Sequence, residues 1–320
     1  MEIAQWIIIF VVALIFLLKS ADIFTDNAER VGLHFKIPPF IIGVTIIALG
    51  TSLPELATSI SSVLHGHSEI VVGDVVGSNI ANILLVLAVS AIVGGHLIVD
   101  KEVIKIDLPI VFGSVILLFI TTLDGQFTWI EGILTLTGLI TYITYNVKSH
   151  RAVEEKQLKD INKIKAEEKK EKLKIKYPLI LVASGTVLYF SANFTIQSVI
   201  ALSEIFKVGT EVIALSAVSI GTSLPELAVS AIAAKKGKAG IALGNVMGSN
   251  IFNVMGVMAI PAFFGALTIP PNIVAFHIPA LVIITALYLF VTMDKEITKW
   301  EGIIMLLIYI AYLGVTFGLF

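Results

Sequence analysis

The sequence predicts an all-α membrane protein of ten transmembrane helices, arranged as two inverted five-helix repeats. Three observations predict this fold: long apolar stretches recur along the chain, an acidic eight-residue segment occurs twice inside them, and the two halves align with each other. The 320 residues are 57% hydrophobic and only 14% charged, and the mean hydropathy is +0.95. Soluble domains usually carry about 25% charged residues, so the composition excludes an ordinary soluble domain.

Apolar runs of roughly 20 residues, the length that crosses a bilayer as a helix, account for most of the chain. Backbone in lipid must satisfy its own hydrogen bonds, which favours helices, and the alternating pattern of a membrane β-barrel is absent. The first run lacks the basic flank and cleavage site of a removed signal peptide, so it is predicted to be a membrane helix. The ten predicted spans are 4–20, 38–64, 69–94, 104–122, 128–147, 177–198, 207–234, 239–265, 272–292 and 298–319.

The second and seventh spans contain the same segment, Gly-Thr-Ser-Leu-Pro-Glu-Leu-Ala, at Gly50–Ala57 and Gly221–Ala228. Proline removes a backbone donor and glycine lowers helix preference, so each span is predicted to break here. Carbonyl groups freed at membrane depth persist only where protein, water or an ion satisfies them. One copy alone could be a proline kink beside a protonated glutamate. An ionised acid at the bilayer centre costs at least ~2.5–3.5 kcal/mol, however, and two glutamates in equivalent positions favour an ion site.

The third and eighth spans each carry one polar face. Polar residues recur there at i, i+4 and i+8, a spacing that places them on the same side of a helix. They are Asp74, Ser78 and Asn82 in the third span and Asn245, Ser249 and Asn253 in the eighth. The asparagines alone could be hydrogen-bonding glue between helices. Their recurrence beside the acidic segment favours a role in the same site.

The internal repeat extends beyond the acidic segment. Residues 41–88 align without a gap to residues 212–259, and Asp124 and Asp294, predicted to be helix N-caps, are also equivalent. Each repeat holds an odd number of spans, so the second repeat runs through the membrane in the opposite sense. Inverted repeats are typical of alternating-access transporters, whose site lies between the repeats near the midplane. The predicted units are 1–147 with motif 50–82, the linker 148–176, and 177–320 with motif 221–253.

The linker predicts the orientation. It holds eleven Lys or Arg and six Asp or Glu, and is predicted to be a cytoplasmic tether rather than a nucleic-acid-binding region. Placing it inside the cell puts every Lys and Arg except Lys207 on the inner side, as the positive-inside rule requires. We therefore expect a multi-pass protein of the cell membrane with both termini outside.

The polar residues of the second, third, seventh and eighth spans form a set of hard oxygen ligands without His or Cys. Such oxygens suit Ca²⁺ and Na⁺ better than Zn²⁺ or Cu²⁺. Two glutamates neutralise one Ca²⁺, and competition of Na⁺ or H⁺ for the same carboxylates is a sufficient physical basis for exchange. The candidate ligands are Thr51, Ser52, Glu55, Ser78, Asn82, Thr222, Ser223, Glu226, Ser249 and Asn253, with main-chain carbonyls near Ala48 and Ser219.

The paired Gly-Thr-Ser-Leu-Pro-Glu segments, followed by Gly-Ser-Asn-Ile at 77–80 and 248–251, resemble the two α-repeats of the Ca²⁺/cation antiporter superfamily. The resemblance covers essentially the whole chain and is closest to the prokaryotic sodium/calcium exchanger branch. It implies a ten-helix fold, the twelve ligand positions just named, and first and sixth helices that slide across a fixed core. The motif of the proton/calcium branch is missing, which favours Na⁺ as the counter-ion.

One departure from this family concerns the acids. Archaeal exchangers that the chain resembles have an aspartate at the position of Asn253. This chain instead has Asp74, whose counterpart in the second repeat is the neutral Asn245. We expect Asp74 either to attract cations in an outer vestibule or to be a third ionisable group that changes coupling. The alternative is a solvated residue near a helix start.

Other function classes stay open at this stage. A proton- or potassium-coupled antiporter would use the same carboxylates. Cation channels usually form rings from several subunits, whereas this chain builds its site from one, and we expect a monomer. An intramembrane enzyme would need a nucleophile or water-activating set, and no catalytic motif or cofactor-binding pattern occurs. The expected partners are therefore Ca²⁺, Na⁺ and the lipid bilayer.

Overall fold

The computed structural model describes residues 2–35, 37–100, 103–161, 176–205 and 221–319. The helices up to residue 161 are α1 Glu2–His34, α2 Pro39–Ile42, α3 Ala48–Thr51, α4 Leu53–Leu64, α5 Glu69–Ala81, α6 Leu87–Gly94, α7 Leu108–Thr121 and α8 Trp129–Ile161. Those that follow are α9 Lys176–Ile205, α10 Leu224–Lys235, α11 Ala239–Phe252, α12 Ala259–Ala262, α13 Ile278–Val291 and α14 Lys299–Thr316.

Eight helical stretches of the described chain are long and apolar enough to cross a membrane, and they correspond to eight predicted spans. The fifth predicted span, 128–147, corresponds to the first part of α8, which begins at Trp129. The seventh, 207–234, is described only from Gly221 onward. Its first half, which contains Ser219 and Lys207, lies outside the described residues.

The first helix is longer than predicted. Helix α1 continues to His34, whereas the predicted span ended at residue 20, where charged residues begin. At 1.5 Å per residue its 33 residues extend about 50 Å, more than the roughly 30 Å of a hydrocarbon core. The additional turns carry acids whose charge is paired with Lys236 and Lys238 of the second half, and this pairing makes the charged extension of the helix tolerable.

Five π-helical turns interrupt the described helices. Two of these turns begin at the predicted ligands Asn82 and Asn253, which occupy equivalent positions in the two halves. A π turn leaves a local carbonyl without its usual helical partner and is frequent at functional sites. The turns are Gly43–Ile47, Asn82–Val86, Val103–Asp107, Asn253–Val257 and Ile273–His277.

The middle of the molecule is formed by α11 and the helical segments around it. Every residue from Ile241 to Phe252 is buried. Glycines allow α11 to approach the α2–π segment at backbone distance, because a Cβ on Gly43 would lie 2.9 Å from the Cα of Gly244. A Cβ on Gly248 would likewise lie 2.7 Å from the Cα of Val44. Close packing of small residues brings the polar faces of the two halves together.

Two short antiparallel ribbons join the halves. Strand β1, His96–Ile98, pairs with β4, Glu296–Thr298. Strand β2, Gln126–Phe127, pairs with β3, Leu267–Thr268. Each ribbon takes one strand from each half, and each buries a leucine, Leu97 in β1 and Leu267 in β3. The two halves are therefore held together by the connections between helices, in addition to the packing of the helices against each other.

The predicted helix N-caps are wrong. Thr298 caps α14, and Glu301 completes a capping box by accepting from the Thr298 main-chain N–H at 2.6 Å. Asp294 lies in the preceding turn, and Asp124 instead accepts a hydrogen bond from the main-chain N–H of Gln126 at 3.1 Å. The Thr-x-x-Glu pattern satisfies two backbone donors at once, which a single aspartate further upstream cannot do.

Candidate cation site

Each copy of the repeated segment interrupts its helix at the serine. Helix α3 ends at Thr51, α4 begins at Leu53, and Ser52 between them has φ −91° and ψ 4°. Ser223 has nearly the same dihedral angles, −84° and 1°, directly before α10. The interruption places hydroxyl groups and main-chain carbonyls beside one another in the interior.

The proline and glutamate of each segment belong to the first turn of the new helix. Pro54 and Pro225 lie where a missing N–H removes no helical hydrogen bond, so proline starts these helices rather than kinking them. Glu55 and Glu226 follow directly, also in the first turn. The positive end of the helix dipole stabilises negative charge there.

Glu226 accepts hydrogen bonds from hydroxyls of both halves. Ser52 Oγ lies 3.0 Å from Glu226 Oε1 and donates to it. Ser249 Oγ lies 3.4 Å from the same carboxylate oxygen and 3.1 Å from Ser52 Oγ. Ser52 and Glu226 come from opposite halves, so this contact shows that the two copies of the segment meet.

The threonines of the two segments make equivalent contacts. Thr51 Oγ1 donates to Asn245 Oδ1 at 3.2 Å, and Thr222 Oγ1 donates to Asp74 Oδ1 at 3.2 Å. Each threonine thus bonds the residue that begins the polar face of the other half. Ser78 Oγ lies 3.1 Å from Thr222 Oγ1. Asp74 is only 4% exposed, so the expectation of a solvated residue near a helix start is wrong.

The set of buried atoms without partners fits a cation. Among the described residues, no hydrogen-bond partner exists for either carboxylate oxygen of Glu55, for Glu226 Oε2, for Ser223 Oγ or for the side-chain amides of Asn82 and Asn253. These side chains are at most 1% exposed. A buried polar group left without a partner costs roughly 1–3 kcal/mol, more if charged, and a bound cation would supply the missing partner for the oxygens.

Carboxylates alone do not form the site. Glu55 lies within electrostatic reach of Glu226 and Asp74. No group of three or more His, Cys, Asp or Glu in the described part of the chain is compact enough to hold a metal ion by itself. The hydroxyls and carbonyls between the acids therefore have to complete the coordination of any ion bound here.

The other predicted ligands lie in the same region, with one outside the described residues. The main-chain carbonyl of Ala48 accepts from Thr51 Oγ1 at 3.3 Å, and Ala48 is fully buried. The π turn that begins at Asn82 packs against α10, and the turn that begins at Asn253 packs against α4 and α5. Nothing is described at Ser219.

Two buried serines next to the site are missing from the predicted ligand set. Ser230 Oγ accepts from Asn245 Nδ2 at 2.8 Å, and Ser59 is its counterpart in the first half. A signal was present, because both serines follow the glutamate of their segment by four residues, one helical turn later on the same face. Asn79 and Asn250, also equivalent, meet directly: Asn79 Nδ2 donates to the main-chain carbonyl of Asn250 at 3.2 Å.

The chain is similar to known proteins along almost its whole length. The chain is 35% identical over 311 residues to the uncharacterized membrane protein MJ0091 of Methanocaldococcus jannaschii, covering 94% of each. It is 30% identical over 343 residues to the sodium/calcium exchanger MaX1 of Methanosarcina acetivorans, covering 97% of this chain and 98% of that protein. A solved structure of the sodium–calcium exchanger NCX_Mj, soaked with Na⁺ and Sr²⁺, superposes with a TM-score of 0.81 at 31% identity, covering 98% and 99% of the two chains.

The model of the sodium/calcium exchanger protein family matches residues 5–148 and 176–318. This match includes both copies of the acidic segment and leaves out most of the charged linker. The chain belongs to the sodium/calcium exchanger family.

Proposed function

We propose that this protein is a secondary antiporter that exchanges Ca²⁺ for Na⁺ across the membrane. One observation carries the proposal: two buried glutamates follow equivalent helix breaks, and Glu226 accepts a hydrogen bond from Ser52 of the opposite half. The relative MaX1 is named a sodium/calcium exchanger, and NCX_Mj is a sodium–calcium exchanger. Transport rather than catalysis is the activity of this family.

The exchange site uses oxygen ligands from both halves. Ca²⁺ takes 6–8 oxygens in flexible geometry, and the two glutamates neutralise its charge. When Ca²⁺ leaves, the unpartnered oxygens of Glu55 and the half-partnered carboxylate of Glu226 attract Na⁺ instead. The proposed ligands are Thr51, Ser52, Glu55, Ser78, Asn82, Thr222, Ser223, Glu226, Ser249 and Asn253, with the carbonyls of Ala48 and Ser219.

The architecture that supports exchange is ten helices in two inverted repeats, residues 1–147 and 177–320, joined by a cytoplasmic linker, with both termini outside. Equivalent contacts, such as those of Thr51 and Thr222, support the repeat. Helices α1 and α9 pack along each other and carry none of the proposed ligands. They are the helices whose sliding would expose the site to each side in turn. The transport unit is one chain.

Flux measurements in vesicles test this proposal. Purified protein in liposomes should take up ⁴⁵Ca²⁺ only when Na⁺ is present inside, with H⁺ and K⁺ gradients imposed separately as comparisons. The variants Glu55→Gln and Glu226→Gln should lose this uptake while remaining monodisperse. The substitution Asp124→Asn removes an exposed acid far along the chain from both motifs and is the matched control.

Each alternative function predicts a different flux. Uptake without any counter-gradient would indicate a cation channel and overturn the exchange proposal. Uptake driven by an outward H⁺ or K⁺ gradient, with Na⁺ absent, would assign the counter-ion to the proton- or potassium-coupled alternative.

A further inference from the structure

The two halves of the site differ at one pair of equivalent positions, Asp74 and Asn245. Both accept a hydrogen bond from the threonine of the opposite segment through Oδ1. The other terminal side-chain atom differs: it is the amide nitrogen Nδ2 in Asn245 and the carboxylate oxygen Oδ2 in Asp74. In the second half, Asn245 Nδ2 donates to Ser230 Oγ at 2.8 Å and approaches the main-chain carbonyl of Glu226 at 3.4 Å. The amide N–H₂ group of Asn245 is therefore a hydrogen-bond donor to two oxygens.

In the first half this amide has no counterpart, because a carboxylate, Asp74, takes the place of Asn245. The counterparts of Ser230 and Glu226 are Ser59 and Glu55. By this equivalence Asp74 Oδ2 corresponds to the N–H₂ group of Asn245, and an ionised carboxylate oxygen brings no proton. Among the described residues, neither Asp74 Oδ2 nor Ser59 Oγ has a hydrogen-bond partner, although Asp74 is 4% and Ser59 1% exposed.

This arrangement favours a bound cation, because the one hydroxyl available, that of Ser59, makes no hydrogen bond to Asp74. The equivalence of the halves directs Asp74 Oδ2 toward the main-chain carbonyl of Glu55, which would repel it, and the Glu55 and Asp74 carboxylates also repel each other. A cation in the place of the N–H₂ group would contact the carboxylate, the hydroxyl and the carbonyl together. These are the hard oxygen ligands that alkali and alkaline-earth cations take, and one carboxylate balances one monovalent charge.

We propose that Asp74 Oδ2, Ser59 Oγ and the main-chain carbonyl of Glu55 form a Na⁺ site that is separate from the two-glutamate exchange site. This inference rests on the proposed function for its choice of Na⁺ among monovalent cations. Thr222 connects the two sites, since its hydroxyl donates to Asp74 and lies beside Ser78. Occupancy of the Asp74 site is thus coupled to the ligands of the exchange site.

Equilibrium binding of ²²Na⁺ to the purified full-length protein, in Ca²⁺-free buffer with choline replacing Na⁺, tests the site. Wild type should bind one Na⁺ ion per chain more than Asp74→Asn does. The variant places at position 74 the same residue that the chain has at the equivalent position 245. The new amide should therefore bond Ser59 as Asn245 bonds Ser230, and the protein should fold. Asp124→Asn, which removes the same charge at an exposed position, should bind as many Na⁺ ions as wild type.

A second variant leaves the charge unchanged. Ser59→Ala should keep the number of Na⁺ ions but weaken one of them by roughly tenfold, the size expected for losing one direct contact. If Asp74→Asn fails to give monodisperse protein, Ser59→Ala decides alone. Equal Na⁺ numbers in wild type and Asp74→Asn, or identical binding curves for wild type and Ser59→Ala, would overturn the site.

The outcome is independent of the exchange proposal. A wild-type Ca²⁺ flux that does not depend on the Na⁺ gradient would overturn the exchange proposal. The difference in bound Na⁺ between wild type and Asp74→Asn would still be measured. Competition with unlabelled ions tests the choice of Na⁺ over K⁺. If K⁺ displaces the ²²Na⁺ that depends on Asp74 at lower concentrations than unlabelled Na⁺ does, the assignment to Na⁺ is overturned.

Discussion

At the scale of single residues, the two glutamates are chemically alike but differently placed. Glu226 accepts from Ser52 and Ser249 through Oε1. Neither oxygen of Glu55 has a partner in the part of the chain that the structure describes. The glutamates are equivalent in sequence, so their difference lies in the side chains that the fold brings to each. Glu55 depends more on a bound cation than Glu226 does.

This inequality predicts opposite effects on stability in ion-free buffer. Glu55→Gln removes an unpartnered buried charge and should raise the free energy of unfolding by about 1–3 kcal/mol. Glu226→Gln weakens charge-assisted hydrogen bonds from two serines and should give little or no gain. Thermal unfolding in detergent with a chelator, and with Na⁺ omitted, measures both variants. A larger gain for Glu226→Gln than for Glu55→Gln would contradict the prediction.

At the scale of elements, the end of α1 is held by an ion-pair cluster. Lys236 contacts Asp22 and Asp26, and Lys238 contacts Asp26 at 2.7 Å and Glu29 at 2.6 Å. The lysines lie in the connection between α10 and α11. Burial lowers the pKa of Lys238, but hydrogen bonds with Asp26 and Glu29 outweigh it and raise the pKa above the ordinary 10.5. The lysine is therefore charged at neutral pH.

The pH range in which this cluster stabilises the fold follows from the raised pKa of Lys238. Because the pKa of Lys238 is raised in the folded protein, its stabilisation is fully present below pH 10.5 and is lost as the pH rises through the folded value. The double variant Lys236→Met/Lys238→Met should therefore loosen the end of α1 at neutral pH. Hydrogen exchange of residues 22–34 should be faster than in wild type by roughly fivefold or more, since partly buried pairs are worth about 1 kcal/mol.

The neighbouring Lys235 offers the control. It is exposed, and within the described ranges it has no ion pair, so Lys235→Met should leave exchange in 22–34 unchanged. Equal exchange in the double variant and wild type would show that apolar packing against α9, rather than the cluster, holds this end of α1.

At the scale of the whole molecule, ligand binding should couple to folding because the site takes residues from both halves. Ca²⁺ at about 100 times its Kd should stabilise the protein by about 2.7 kcal/mol, as for any ligand that binds only the folded state. Na⁺ added at fixed Ca²⁺ should reduce the part of this gain that is due to Ca²⁺, because both ions use the same carboxylates. Thermal unfolding across a Ca²⁺ and Na⁺ concentration grid measures the effect. Fully additive stabilisation by the two ions would indicate separate, uncoupled sites.

The sequence alone determined the class of protein and predicted most side chains of the candidate site. Apolar run length predicted eight of the spans that the described structure contains, since crossing a bilayer requires a fixed helix length. The repeated segment identified both glutamates and their neighbours, because proline, glycine and acid at membrane depth are unfavourable without a function. The predicted end of the first helix was wrong, because the charged residues after residue 20 were left out of it. Their ion-pair partners lie more than 200 residues away in the chain, where no local pattern reveals them.

Only the tertiary structure decided which oxygens are already satisfied and which are not. The contacts of Ser52 with Glu226, and of Thr222 with Asp74, join residues that are far apart in the chain, and no local pattern specifies such distances. Equivalent residues thereby acquire different surroundings: Asn245 bonds Ser230, whereas Asp74 Oδ2 and Ser59 Oγ have no hydrogen-bond partner in the described chain. The physical reason is that burial and hydrogen bonding depend on packing between the halves, whereas helix length and helix breaking depend on neighbouring residues.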